Sequence, residues 1–281
     1  MLQIRQLRTK DIQFAVKLSN REKWNTPRSD FERILRLNPH GNFLALSNRS
    51  RVGMITTVRF EEALAWIGNV VVDRRYRGRY IGQAMVEYAV SYLRDAGVKN
   101  IGLYCFLNNV RFYEKLGFVK DVKFERLRRA PKQMSHLSDY GFAKMPISQV
   151  LNIDRRSFRA NRANLLSEVL RSGFGSCLGV ANQSSAAYLM IRHYSDMHEF
   201  GPGIAIRVTS TKLESLIATA ISDSCRKPIE LSCITMNKPL LRFLKSQGFR
   251  TVNSGYRMLL GRGTWPGDNA ENYLLGFKDK G

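Results

Sequence analysis

The chain has 281 residues, 44% of them hydrophobic and 10% aromatic, a composition that excludes a disordered polymer and suits two domains of ordinary size. No run reaches the ~18 consecutive apolar residues of a membrane span, and the opening MLQIRQLRTKD lacks the apolar core of a secretory leader, so the cytoplasm is the expected compartment. The formal net charge is +22, with 27 Lys and Arg against 13 Asp and Glu in residues 1–150 and 18 against 10 in the remainder; this excess favours an anionic partner, whether nucleic acid, an acidic surface or a polyanionic cofactor.

In chain order, QIRQLR reads as a strand, DIQFAVKLS and SDFERILRL as helices, with Ser29 or Asp30 as the N-cap of the second. FLALSN, VGMITTVRF and WIGNVVV are strands rich in β-branched and aromatic residues. GQAMVEYAVSYLRDAG carries Met85, Tyr88, Ala89 and Tyr92 at helical spacing and stops at Gly97. NIGLYCF is a buried strand, VRFYEKLG a short helix ending at Gly117, and FVKDVKFERL a closing strand. This order predicts a right-handed βαβ unit within a mixed α/β fold. The polar stretch after it reads as a linker.

A second unit follows. RSFRANRANLLSEVLRS is expected to be one helix, CLGVANQ, AAYLMIRHY and GIAIRV strands, and TKLESLIATAISDSC a helix. IELSCIT, PLLRFLKSQG and FRTVNSGYRMLLG then give strand, helix and closing strand. RFYEKLGF (111–118) and RFLKSQGF (242–249) share their Arg-Phe and Gly-Phe at equal separation, and the preceding GLYCF and ELSCI share Leu and Cys, which points to an internal duplication. The boundaries expected are 1–130 and 149–281, with 131–148 as linker.

The scattered Cys105, Cys177, Cys225 and Cys233 have no metal-ligand or disulfide-framework spacing, and His136, His193 and His198 have none either, so no metal site is expected. The stretch VVVDRRYRGRYIG (70–82) stands out, because four arginines and two glycines fall between a strand and a helix. Backbone N–H groups at a positive helix end, with no Cβ at Gly78 and Gly82 and charge from Arg74, Arg75, Arg77 and Arg79, suit a phosphate. The spacing is neither that of a P-loop nor of a Rossmann turn. The second unit has only TSTKL at the corresponding join.

RGRYIG resembles the Q/R-x-x-G-x-G/A signature of the GNAT acetyltransferase superfamily, and NNVRFYEKLGF (108–118) looks like its second motif, in the same order and at a similar separation. EKWNTPRSDF, WIGNVVV, FGPGIAI and GYRMLLG are similar to a two-domain branch whose C-terminal domain is a degenerate acetyltransferase fold. The resemblance implies acetyl-CoA as cofactor and acetyl transfer to a primary amine by direct attack. It places the pyrophosphate on Arg77, Gly78, Arg79, Tyr80, Ile81 and Gly82, and the pantetheine arm on the backbones of Val70 and Val72. Tyr113 then protonates the leaving thiolate, Asn108 or Asn109 takes over the pantetheine contact of the motif's asparagine, and Trp24 and Asn25 line the acceptor cleft. Three departures accompany it: Tyr80 stands where the signature has glycine, Phe106 where the second motif has asparagine, and WIGNVVV carries no carboxylate to act as base, although Glu61, Glu62 and Asp73 flank it.

Two other readings stay open. A basic nucleic-acid-associated protein on the same fold is suggested by Lys120, Lys123, Arg126, Arg128, Arg129 and Lys132, without any accompanying nucleic-acid motif. A catalytically silent acetyl-CoA-binding regulator is suggested by Tyr80 and the missing base.

Overall fold

The computed structural model describes residues 1–24, 26–132, 142–171, 173–261 and 265–276. The first half runs β1 (Leu2–Gln6), α1 (Ile12–Arg21), α2 (Arg28–Leu37), β2 (Phe43–Ser47), β3 (Ser50–Phe60), β4 (Leu64–Val72), α3 (Ile81–Asp95), β5 (Asn100–Phe106), α4 (Val110–Glu114) and β6 (Val119–Arg129). The second runs β7 (Ala143–Lys144), α5 (Ile147–Phe158), α6 (Ala163–Arg171), β8 (Gly175–Ala181), β9 (Ala186–His193), β10 (His198–Ile206), α7 (Ser210–Asp223), β11 (Ile229–Ile234), α8 (Lys238–Ser246), β12 (Arg250–Gly261) and β13 (Asn272–Leu274). No described helix is long and apolar enough to cross a membrane.

The strands form one mixed sheet in the order β1-β2-β3-β4-β5-β12-β6-β11-β13-β10-β9-β8-β7. The closing strands have changed places. β12, from the second half, lies antiparallel to β5 from Gly255–Phe106 to Gly261–Asn100, while β6, from the first, lies antiparallel to β11 from Ile229–Arg129 to Ile234–Phe124. Gly255 makes the exchange sterically feasible, since a Cβ there would stand 2.1 Å from the Cys105 carbonyl oxygen and 2.8 Å from the Phe124 ring. Arg257 fastens the same strand: its guanidinium lies 3.6 Å from the Trp265 ring and its Nε donates to Asp121 at 2.5 Å.

Helix faces explain the layers. The apolar side of α3, with Met85, Val86, Ala89 and Leu93 buried, packs with Ile55, Ile67 and Ile101, and α1 and α2 build a separate core around Leu44 and Met54. In the second half, α7 and α8 pack with Leu189, Ile229 and Leu231. A further core joins the halves, with Val58, Phe60, Leu64 and Trp66 of the first packed among Val150, Ile153, Phe158, Leu166 and Tyr188 of the second.

The internal echo extends to backbone geometry. Gly117 and Gly248 both take left-handed φ, +85° and +86°, and Phe118 and Phe249 donate their N–H to Tyr113 and Leu244 carbonyls at 3.1 Å each. Both helices therefore close with the same glycine stop.

Four details differ from expectation. The helix expected across 156–172 breaks at Arg159, φ +56°, because Arg162 turns inward to hold buried Asp154 at 2.7–3.0 Å. The N-cap of α2 is Pro27, with Ser29 and Asp30 inside its first turn. Within the stretch read as linker, Ala143–Lys144 form β7, paired to β8, and α5 starts at Ile147. β13 went unforeseen because its three residues are too few to show a period.

Candidate active site

β4 and β5 pair in parallel only where Leu64–Trp66 face Asn100–Gly102. Gly102 is required there, as an added Cβ would stand 2.4 Å from the Trp66 ring. Beyond this point pairing stops, and a cavity of about 190 Å³ is lined by Ile67–Val70 on one strand and Tyr104–Phe106 on the other. A bulge marks the opening: Met54 and Thr56 of β3 face Val71 and Gly68, so Asn69 and Val70 stand opposite a single residue. Asn69 is left-handed, φ +49°, and its amide donates to Thr56 Oγ1 at 3.0 Å.

The basic turn follows β4 directly. Tyr80 occupies the N-cap of α3 with φ +56° and provides no capping side chain, leaving the first-turn amides of Ile81, Gly82 and Gln83 without a side-chain partner among the described residues. Gly78, φ +77°, has open space where a Cβ would be. At Gly82 a Cβ would make only ordinary 3.7 Å contacts with Val72 and Phe112, so internal packing does not demand that glycine. The Tyr80 side chain, 80% exposed, lies out in solvent. The turn therefore fits a pyrophosphate: uncapped amides, two positions without Cβ and a positive helix end.

The arginines have more specific duties than a diffuse positive field. Arg77 Nε donates to the Val72 carbonyl at 2.9 Å and its Nη2 to Glu22 at 2.7 Å, and Arg74 also reaches Glu22. Arg75 and Arg21 hold Asp73, whose carboxyl is lowered to about 2, chiefly by the Arg75 hydrogen bond. Arg79 has no ion pair among the described residues and lies 5.5 Å from the Tyr76 ring centroid.

Tyr113 on α4 lines the cavity and packs edge-on against Phe112, which borders Gly82, so the start of α3 and the cavity meet through α4. Among the described residues nothing hydrogen-bonds its hydroxyl. Burial pushes the Tyr113 phenol well up, with Cys105 adding to the effect, so it stays protonated at neutral pH. Burial likewise pushes the Cys105 thiol up to about 11, which leaves it a packing residue.

Of the residues picked from sequence, Val70, Tyr113 and Trp24 line the cavity, whereas Val72 ends β4 and Arg77 to Gly82 form the adjoining turn and helix start. Asn108 is exposed and off the cavity; Asn109, one place on, lines it. Asn25 and His136 lie outside the described residues. Neither Glu61, held by Asn161, nor Asp73 reaches the cavity, and Glu62 does not line it.

Sequence reasoning missed the opposite wall. Arg192, Tyr194, Asp196, Met197, Glu199, Ser232, Leu275 and Gly276 come from the second half, and Asp30 and Arg126 from the first. Their chemistry is ionic and buried: Arg33 donates to Asp30 at 2.5 Å, Arg192 to Glu199, and Arg126 to Glu230. The only signal available was the SD pair between two strand-like runs, which marks the β9–β10 hairpin. Arg126 and Arg129, two of the six cations in the supposed nucleic-acid cluster, are buried in β6 and tied to Glu230 and the Gln247 carbonyl. That cluster is therefore not one exposed basic face. No described group of His, Cys, Asp or Glu is arranged to hold a metal ion.

Comparison with known proteins bears on this arrangement. A model of the acetyltransferase (GNAT) family matches residues 4–118, and one of an acetyltransferase (GNAT) domain matches 150–274. Serotonin N-acetyltransferase 2, chloroplastic, of Oryza sativa subsp. japonica is 34% identical over 101 residues, 34% of this chain and 50% of that protein. Glucosamine 6-phosphate N-acetyltransferase of Arabidopsis thaliana is 39% identical over 51 residues, 18% of this chain and 34% of that protein. The chain thus spans half or less of the length of these curated relatives. A crystal structure of a putative acetyltransferase from Pyrococcus horikoshii superposes with TM-score 0.84 at 24% identity, covering 100% of this chain and 96% of that one. A tandem GNAT protein from the clavulanic acid biosynthesis pathway gives TM-score 0.66 at 12% identity, covering 94% and 99%. At such identities the structural likeness speaks for the fold. With both halves matched by models of one family, the chain belongs to the GNAT acetyltransferases and carries two GNAT domains in tandem.

Proposed function

We propose that the first domain binds acetyl-CoA and passes its acetyl group to a primary amine held between the domains. The observation that carries this is the end of β4–β5 pairing at Trp66–Gly102, with the uncapped start of α3 and the Tyr113 side chain bordering the opening. The cofactor supplies a thioester activated toward amines. The amides of Gly78 to Gly82 would bind its pyrophosphate, and Arg79, which has no ion pair among the described residues, would add charge. The β4 edge around Val70 would orient the pantetheine; as the amine nitrogen bonds to the acetyl carbon and the C–S bond breaks, the hydroxyl of Tyr113, kept protonated by burial, would give its proton to the sulfur and regain one from the nitrogen.

The second domain acts without a cofactor of its own. β13 pairs with both β10 and β11, filling the place where the first domain opens. Thr209 Oγ1 caps α7 by accepting the Lys212 N–H at 3.3 Å, so the helix start is already satisfied. Leu244 stands where the echo puts Tyr113. These features support a structural and acceptor-shaping role.

Calorimetric titration with acetyl-CoA tests the reading. One-to-one binding is expected, and Gly82→Ala should weaken it at least about tenfold while leaving the unfolding midpoint within a degree or two, since the protein itself has room for the methyl group. Two-site binding, or none, would refute the reading. Binding without turnover across amines would instead identify a silent regulator.

A further inference from the structure

The acceptor side of the cavity is walled by two kinds of group. Trp24, Tyr104, Phe106, Phe124, Tyr194 and Met197 give an apolar, mostly aromatic lining, with Tyr104 and Phe106 centred 5.6 and 6.5 Å from Phe124. Phe106 occupies the place where the second motif ordinarily has asparagine, so this departure contributes ring surface in place of an amide. The cavity volume, about 190 Å³, exceeds the ~150 Å³ of an apolar cavity that takes up benzene.

The charges sort with equal clarity. Asp30 with Arg33, Glu199 with Arg192, and Glu230 with Arg126 are three buried pairs whose charges cancel. Contacts of 3.6 Å from Arg192 to Asp30 and 3.8 Å from Arg126 to Glu199 join them into one alternating network. Asp196 stands apart. It lies at the tip of the β9–β10 hairpin, closed by a 2.9 Å bond from the Tyr194 N–H to the Met197 carbonyl, and it is exposed with no ion pair among the described residues. Among the described residues the lining therefore holds one carboxylate outside any ion pair, beside an aromatic wall, with Lys227 Nζ donating to the Tyr194 carbonyl of the same hairpin at 3.0 Å.

We propose that the acceptor is a primary monoamine on an aromatic or similarly apolar body, its ring received by the wall of Trp24, Phe106 and Phe124 and its ammonium by exposed Asp196, where it loses a proton to solvent and attacks as the neutral amine. A zwitterion would bring a carboxylate to guanidiniums already engaged by carboxylates, and a diamine would press a second charge against apolar rings, both at a desolvation cost. The chain's +22 net charge repels every cation at long range, so the selectivity arises inside the cavity. The inference rests on the first domain being an acetyl-CoA-dependent transferase.

The test follows CoA release with 2-phenylethylamine, L-phenylalanine and 1,4-diaminobutane, alongside calorimetric binding of acetyl-CoA. The expected result is a kcat/KM for 2-phenylethylamine at least about tenfold above the other two, and an Asp196→Asn variant whose KM for it rises roughly tenfold with acetyl-CoA affinity unchanged. Trp24→Ala should lower kcat/KM for 2-phenylethylamine more than for n-butylamine, which has no ring; Trp24 is 38% exposed, so the fold tolerates the change. Acetyl-CoA binding with no amine turned over, with L-phenylalanine or the diamine preferred, or with Asp196→Asn indifferent, overturns the inference and leaves the cofactor reading intact. Failure to bind acetyl-CoA overturns both.

Discussion

Tyr80 opens α3 with φ +56° and ψ +9°, a conformation that glycine adopts freely and L-residues pay for. Its ring is in solvent, so the backbone N–H remains directed by the turn and the substitution costs stability more than access. Tyr80→Gly is accordingly expected to leave the urea midpoint unchanged or higher, whereas Tyr80→Val, branched at Cβ, should lose about 1 kcal/mol. Both should bind acetyl-CoA better than Gly82→Ala does. Tyr113 allows a sharper separation of roles. Its hydroxyl has no partner among the described residues, so Tyr113→Phe should leave thermal unfolding nearly unchanged while kcat falls by about 10²–10³-fold, with little change in acetyl-CoA affinity.

Among the secondary elements, the hairpin of β9 and β10 carries a second titratable feature. His193 and His198 meet at Nδ1 to Nδ1, 3.0 Å apart, and His193 Nε2 also contacts Ser176 Oγ at 2.9 Å. Burial lowers both pKa values from the usual 6.5; Lys227 and Lys144 add to this for His193, and His193 and Lys227 for His198. Over the ordinary histidine range the unfolded chain then binds more protons than the folded one, so stability rises with pH there. It should be complete above that range and lost as the pH falls through 6.5 toward the lowered native values. Thermal melts between pH 7.5 and 5 should show this fall, and His198→Gln should flatten it.

How far the elements were legible follows from what each signal encodes. The β4–turn–α3 join could be read because arginine and glycine report a local need, and the Gly117 stop because one residue in a left-handed turn closes a helix. The broken helix at Arg159 escaped, since the Arg162–Asp154 pair that breaks it is tertiary. The far wall of the cavity escaped for the same reason: Asp196 and Asp30 lie 166 positions apart, and nothing in their neighbourhoods records that they face one cavity. Even a correctly read closing strand, residues 250–261, gave no hint of its partner, because alternation specifies a face and not a neighbour.

That partner governs the folding of the entire chain. With β12 between β5 and β6, and a core shared between the halves, the two domains are expected to unfold in one transition by both circular dichroism and tryptophan fluorescence. Residues 1–130 made alone would lack the strand beside β5 and expose both edges, so they should be insoluble or unfolded, and co-expression with 142–281 should restore a folded complex. Gly255→Val, which drives a side chain into the Cys105 carbonyl, should destabilise both halves together.

The exchange also bears on inheritance. Tandem domains are ordinarily separable goods, free to be lost, fused or recombined one at a time. Here each half completes its sheet with a strand written in the other's stretch of gene, and a deletion that removes one leaves the survivor unfinished. The second domain is thereby held in place by architecture, and its β9–β10 hairpin remains available to be reshaped while the shared sheet keeps the two halves together.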